Sequence, residues 1–486
     1  MRRALVPFCA ALPWMLYGCM SLAPAYRRPE APVPAYWPSG PAYIPAAAEQ
    51  NADQSARVAE RSVIDIPWQE FILDSRLRQV IEQALSDSRD LRQQAAAVMS
   101  ARAKYRVQHV ALLPRVDAGV GGSKSRNLIS TDSSNLTGIN STYSATVGMS
   151  AYEIDLFGRL RSLSNAALET YLATEATARA ARISLITETA VAWLTLAADR
   201  SLLQIAQQTA QSAQRSMTLS QSRLERGVAS AVDVHQAETV YQQARADAAN
   251  STTLIAQDRN ALDLLVGNSV ANELLPDSLP AEEGWLADVP SGISSLVLLQ
   301  RPDVLAAEHQ LRSVNANIGA ARAAFFPSLT LTTDAGLASN DLAALFEHGA
   351  TVWSVAPSLS VPIFAGGANR ANLDYSKSQK TYYIAAYEAS IQTAFKEVAN
   401  ALARRGTMAE QLLAARALVS AAGESYRLSN ARYEKGVDTY LNALDSQRTW
   451  YSAQTSLVTD RLTDLTNRVT LYKALGGGAT ATASTG

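Results

Sequence analysis

The sequence predicts a mainly α fold made of two similar halves, each a long helical rod with shorter helices and a β-hairpin. Three observations predict it. Motifs recur at a fixed offset, a stretch of 67 residues contains no helix breaker, and each half holds two strand-like segments.

The repeat comes first because missing it would mis-assign the whole fold. LSQSRLERGVASAVDVHQAETVYQQA begins at Leu219 and LSNARYEKGVDTYLNALDSQRTWYSA at Leu428. Leu219, Ser220, Arg223, Gly227, Val228 and Gly267 recur as Leu428, Ser429, Arg432, Gly436, Val437 and Gly476, at an offset of 209. Upstream, Asp90, Ala103 and Pro114 match Asp303, Ala316 and Pro327 at an offset of 213. Phe157 falls against Phe364 at an offset of 207, so only loops need to have changed length. This period is far too long for a solenoid unit, so each copy is a large supersecondary module.

In chain order, Arg2 and Arg3 precede a short apolar run from Ala4 to Tyr17. That is an export-signal pattern, too short for a bilayer span of about 20 apolar residues. Leu16-Tyr17-Gly18-Cys19 resembles a bacterial lipobox, which makes Cys19 the expected lipidation site and first mature residue. An ordinary signal peptide with an incidental cysteine is the alternative. Met20 after the cysteine resembles lipoproteins sent to the outer membrane. With Cys9 removed, no internal disulfide and no thiol site is expected. Residues Ala23 to Tyr43 are proline-rich and predict an extended segment along the surface of the body.

Helix formers fill Leu160 to Arg226, and Ile183, Ile186, Ala190, Trp193 and Ala197 step by three and four as a buried seam does. At about 1.5 Å per residue this rod is roughly 100 Å long. Arg76–Leu113 and Ala231–Val266 predict flanking helices of roughly 55 Å each. The second half repeats the scheme, with a rod over Ala368–Lys435 that Gly406 and Gly423 should soften. Strands are predicted at Arg115–Ser123, Ser141–Leu156, Ser328–Ala338 and Val352–Phe364. In the last, Trp353, Val355, Leu359, Val361 and Ile363 alternate with serines, a pattern that fits a strand between lipid and water, or a soluble hairpin. Lipid tolerates no open sheet edge, so four membrane strands must close with other copies. Three chains would supply twelve strands and a closed barrel of even number. The chain thus divides into a signal over 1–18, an extended lipidated segment over 19–75, a first repeat over 76–267, a linker over 268–291, a second repeat over 292–476 and a disordered tail over 477–486.

A net charge of −1 gives no electrostatic case for nucleic acid. The chain lacks a P-loop, a GxSxG elbow and an HExxH helix, and GVGG at Gly119–Gly122 leads into a polar loop. His109, His235, His309 and His348 have no metal-ligand spacing and read as surface or packing residues. No enzyme, metal or cofactor is expected.

The lipobox with PAYRRPEAPVPAYW, the corner DLFGRLR, its partner PIFAGGANR and the turns RLERGVAS and RYEKGVDTYLNALDSQR together resemble the TolC-like outer-membrane factors. The nearest likeness is to their OprM-like lipoprotein branch, which serves RND efflux pumps. The resemblance runs from Cys19 to Gly476. It implies a trimer: a twelve-stranded outer-membrane β-barrel continuing into a long α-helical coiled-coil barrel across the periplasm. Expected partners are two further copies, a periplasmic adaptor protein, an inner-membrane RND pump and outer-membrane lipid. The implied function is passive export of drugs or other small toxic compounds. A type I secretion conduit and a non-porous coiled-coil scaffold are the alternatives.

Three groups of residues follow. Asp155, Phe157, Gly158 and Arg159 form a structural corner where strand becomes rod. Gly227 and Gly436 end the rods, where a left-handed residue is needed. Around them Arg223, Leu224, Gly227, Val228, Arg432, Tyr433, Gly436 and Val437 are candidates for adaptor docking, or for capping alone. Asp438, Leu441, Asp445 and Arg448 lie at helical spacing after the second turn. The resemblance makes Leu441, Asp445 and Arg448 the periplasmic gate, with Asp445 forming a cation-selective ring and Leu441 an apolar constriction. A solvated ion pair three residues apart is the simpler reading. Half one carries Gln236 and Glu238 where half two carries Asp445 and Gln447.

Overall fold

A computed structural model describes residues 21–43, 63–131, 134–280, 284–289, 294–347 and 349–478. The predicted signal, Cys19, His348 and the tail from 479 onward lie outside the described residues. After a single helical turn at Trp68–Phe71, the longer elements are α1 (Ser75–Asp87), α2 (Arg89–Val110), β1 (Asp117–Thr131), β2 (Ser134–Ile154), α3 (Arg159–Glu225) and α4 (Ala231–Val266). The second half supplies α5 (Pro302–Ala323), β3 (Ser328–Ser339), β4 (Thr351–Ser360), α6 (Ala368–Glu434) and α7 (Tyr440–Ala474). The described residues are mainly helical with one four-stranded sheet, as the repeat and the breaker-free rod predict.

Two compact units emerge. One comprises Met1–Glu30, Ala97–Glu175 and Ala306–Tyr387. It holds the antiparallel sheet, in the order β1-β2-β3-β4. The first hairpin is longer than predicted, because its ladder runs from Asp117↔Gly148 to Thr131↔Ser134 through polar residues without alternation. Strand β4 stops at Ser360, short of the predicted Phe364, since Pro362 cannot donate to a ladder. Ile363 and Phe364 are exposed beyond it. Strands β2 and β3 approach closely at two glycines: a Cβ on Gly148 would lie 2.1 Å from the Thr333 carbonyl oxygen, and one on Gly336 2.1 Å from that of Ala145.

In the same unit the extended N-terminal segment lies along one face of α5. Glu308, Arg312, Asn315, Gly319 and Arg322 step by three and four, which places them on one helical stripe. Arg322 donates to the Leu22 carbonyl at 3.1 Å and Asn315 to the Pro24 carbonyl at 2.8 Å. Gly319 leaves room for Ala23, which a Cβ would meet at 2.8 Å. At the end of the stripe the buried Glu308 carboxylate pairs with Arg28, with Arg312 at 2.6 Å, and accepts from the Tyr26 hydroxyl at 3.2 Å. Burial pushes the Glu308 carboxyl up, but the hydrogen bonds from Arg28 and Arg312 outweigh it and hold the group below the usual carboxylate range.

The second unit comprises Ala31–Ala96, Ala176–Leu305 and Glu388–Gly486. Ile183, Ile186, Ala190, Trp193 and Ala197 are all buried, as their spacing predicts. The Trp193 indole donates to the Leu274 carbonyl at 2.9 Å and meets Trp285 edge-on with centroids 4.7 Å apart. Burying such a side chain stabilises by about 1.5–3 kcal/mol. The predicted single helix over Arg76–Leu113 is instead two, broken at Ser88. Ser88 takes an extended ψ of 130°, and the Asp87 carbonyl packs so tightly on Gly267 that a Cβ there would lie 2.7 Å away. The duplication carried the missing signal. At the offset of 213, Arg89 falls against Pro302, which opens α5. Nor does Gly423 soften α6: the helix is continuous, and the absent side chain makes room for Trp450, whose ring nitrogen is 3.0 Å from where a Cβ would be.

Candidate functional site

Two helical turns in the second unit carry most of the predicted site. Each ends a 67-residue helix, and each glycine takes the left-handed conformation that only glycine adopts without strain: Gly227 at φ 74° and Gly436 at φ 73°. The hydrogen bonds match in both copies. Gly227 donates to Leu224 at 2.9 Å and Val228 to Arg223 at 2.9 Å; Gly436 donates to Tyr433 at 2.9 Å and Val437 to Arg432 at 3.0 Å. Nothing lies within 4 Å of a Cβ at either glycine, so the backbone alone requires them.

Beyond the turns the copies diverge. The first is closed by a capping box, in which Ser230 and Asp233 bond each other's backbone N–H. The second has Thr439 at the cap without a side-chain bond, and Asp438 takes over. Its carboxylate accepts the Thr439 backbone N–H at 2.8 Å, the Asn442 amide at 2.7 Å and the Arg432 guanidinium at 3.2 Å. Those partners, the Thr439 N–H foremost, hold Asp438 below the usual carboxylate range.

The equivalent arginines also differ. Arg432 stays at the surface and pairs with Asp438 of its own turn. Arg223 crosses to the other copy, donating to the Tyr433 carbonyl at 2.8 Å and the Glu434 carbonyl at 2.8 Å, with its guanidinium 4.4 Å from the Tyr433 ring centre. It thereby gives the Glu434 carbonyl at the end of α6 a donor and adds a second to the Tyr433 carbonyl, which also accepts the Gly436 N–H.

Tyr433 is corrected as a docking residue. Its side chain is 4% exposed and packs with Ala213, Ala237, Val240, Tyr440, Ala443 and Leu444, while its hydroxyl meets Ser220 Oγ at 2.8 Å. A side chain sealed in that cluster has no surface to offer. Leu224, Val228 and Val437 are exposed, and so is Val232, which sequence reasoning passed over although it is the first-half counterpart of Leu441 at the offset of 209.

Leu441, Asp445 and Arg448 share an exposed face at the start of α7. Arg448 does not pair with Asp445; it donates to Thr239 Oγ1 on α4 at 3.3 Å. The surface ion-pair reading therefore fails, and Asp445 stands with its carboxylate exposed.

The corner after β2 is built as a bracket. Gly158 takes φ 72°, Asp155 accepts from the Arg161 backbone at 2.9 Å and its guanidinium at 3.1 Å, and Arg159 donates to Glu153 at 2.8 Å. Phe157 stacks on Phe326, with centroids 4.7 Å apart, not on its repeat partner Phe364, which is 91% exposed. The described histidines are spread apart: His109 meets Ser164, His235 meets Glu238 and His309 meets Glu169. Among the described residues no cluster of metal-ligating side chains occurs.

The family model described as outer membrane efflux protein matches residues 80–268 and 293–477. The chain is 46% identical over 470 residues to the probable efflux pump outer membrane protein TtgC of Pseudomonas putida, covering 96% of this chain and 94% of the relative. To outer membrane protein OprJ of Pseudomonas aeruginosa it is 39% identical over 478 residues, covering 98% and 97%. Among solved structures, the open state of the MtrE outer membrane channel of Neisseria gonorrhoeae superposes with a TM-score of 0.83 at 34% identity, covering 95% of this chain and 99% of that one.

Proposed function

The chain belongs to the outer membrane efflux protein family, and from that premise we propose that it works as a passive trimeric exit duct for drugs, solvents or other small toxic compounds. Its place is the outer membrane. The observation that carries the trimer is the open four-stranded sheet, whose edge strand β4 is exposed along its whole length. Unpaired edges are not tolerated in lipid, and two further copies would close the ring. A lipid chain on Cys19 would add an anchor, and a periplasmic adaptor would link the duct to an inner-membrane RND pump.

The adaptor meets the tips at Leu224, Val228, Val232 and Val437, with Arg432 at the rim. The gate is the face of α7 that carries Leu441, Asp445 and Arg448. A threefold axis beside that face brings three Asp445 carboxylates together as a ring that favours cations, and Leu441 supplies an apolar constriction. Arg448 holds the face in place through Thr239, so adaptor docking opens the duct by breaking that tie. In planar bilayers D445A is expected to reduce cation selectivity and R448A to raise conductance. If both variants conduct and select like the unaltered protein, this face is not the gate.

A further inference from the structure

One pair of side chains lies away from tips, corner and sheet. Asp199 on α3 and Asp258 on α4 meet side chain to side chain, carboxyl to carboxyl. Asp258 Oδ2 is sealed from solvent, and among the described residues no N–H or O–H group is placed to donate to it. Two carboxylates cannot approach this way when both are charged, and a sealed carboxylate oxygen without a donor is costly. One proton between them resolves both problems: the protonated carboxyl donates and its neighbour accepts.

Among the described residues, no cation is seen to neutralise the pair. On α3, Arg200 is spent on the Pro276 carbonyl. On α4, Arg259 is held by Asn272 and the Val270 carbonyl, and Asp263 accepts the Val270 N–H. From α1, which packs on α4, Arg76 reaches Asp277 and the face of Trp193, Arg78 donates to the Ile72 and Leu73 carbonyls, Asp87 accepts from Ser86, and Glu82 is exposed. From α7, Arg468 is engaged by Asp464 and Asp288, Lys473 by Glu188, and Arg461 lies beside Arg416.

The second half lacks the acid pair. At the offset of 209, Asp199 becomes Met408 and Asp258 becomes Asn467. Met408 is buried in an apolar cluster with Leu412 and Leu457, and the Asn467 amide donates to the Ala401 carbonyl at 3.0 Å. The same junction of rod and return helix is thus neutral at all pH in one copy and carries two acids in the other. A packing requirement shared by both copies does not demand the acids.

We propose that Asp199 and Asp258 share one proton across α3 and α4, and that losing it loosens this helix pair, a proton-sensitive joint built into the first half only. Burial, reinforced by the hydrogen bond and charge of Asp199, pushes the Asp258 carboxyl up to about 7. Because that is above its value when the helices open, the joint holds best at low pH and weakens as pH rises towards neutrality.

The test is hydrogen exchange on the full-length protein in detergent, corrected for the chemical effect of pH on exchange. Between about pH 5 and 7 the opening of peptides around 195–203 and 254–262 should rise by up to about tenfold per pH unit, one proton being lost per chain. Peptides around 404–412 and 463–471 serve as the internal control and should show no such rise. In D258N, near-isosteric and neutral, the excess rise should vanish. First-half peptides that track the control, or a rise that persists in D258N, would overturn the proposal. The infrared spectrum of the unaltered protein decides independently of any variant. A protonated carboxyl stretch at about pH 6 that fades by about pH 8 supports the shared proton, and its absence at about pH 6 refutes it.

Discussion

Replacing Arg223 with alanine should loosen the second tip and leave the first intact, although Arg223 sits beside the first. Its guanidinium makes two hydrogen bonds of 2.8 Å to carbonyls at the end of α6 and covers the Tyr433 ring at 4.4 Å. Hydrogen bonds from a charged donor contribute about 1.5–3 kcal/mol when buried, and the partial exposure of this pair reduces each to about 1 kcal/mol. The ring contact adds about 0.5–1 kcal/mol. Together, about 2–3 kcal/mol of local stability is at stake, which raises the opening constant about 30- to 150-fold. The readout is amide exchange at Gly436 and Val437, whose N–H groups close the turn on Tyr433 and Arg432. Protection there should fall by that factor while Gly227 and Val228 keep theirs. R223K, which retains charge but not the two-pronged fork, should fall in between. Unchanged protection at Gly436 in R223A would refute the cross-tie. Equal loss at both tips would mean that Arg223 merely ends its own helix.

Two further substitutions probe the first unit. G336A places a methyl 2.1 Å from the Ala145 carbonyl oxygen across the β2–β3 ladder and should cost about 3 kcal/mol or more, seen as a lower melting temperature of the purified protein. E308Q removes the anion shared by Arg28, Arg312 and Tyr26. Both guanidiniums are partly solvated, so about 1–3 kcal/mol is expected, read as faster protease cleavage within residues 22–37. The Glu308 carboxyl is held below its ordinary value. Its contribution is therefore present above the unfolded value and lost as pH falls through the folded one, so acid should loosen the same segment in the unaltered protein and not in E308Q.

Much of this architecture was legible in the chain because it rests on local rules. The 67-residue helices follow from an unbroken run of helix formers, and the buried face of α3 from apolar residues at steps of three and four. The turn glycines were legible because a left-handed residue after a helix has one cheap solution. The break at Ser88 escaped because the first copy has Arg89 where the second opens its helix with Pro302, and the close seat of Asp87 on Gly267 exists only once the chain is folded. The extended first hairpin escaped because its polar residues carry no alternation, while its ladder is made of backbone.

The candidate site divides in the same way. Sequence pointed to Leu441, Asp445 and Arg448 as one helical face, and they are one. It could not say that Arg448 would reach Thr239 while Asp445 stayed exposed, since that depends on which helix packs alongside. Nor could it say that Tyr433 is buried where its first-half equivalent, Leu224, is exposed.

By itself, then, the sequence determined that the molecule is made twice, and it placed rods, strands and turns. Those properties depend on a residue and its near neighbours, which the duplication preserved. Only the tertiary structure decided what the two copies do to each other. Arg223 leaves its own turn to serve the other, Phe157 stacks on Phe326 in place of its repeat partner, and Asp199 faces Asp258 where the second copy has Met408 and Asn467. The reason is physical: hydrogen bonds, burial and charge act between groups close in space, and equal positions in two copies are not given equal surroundings.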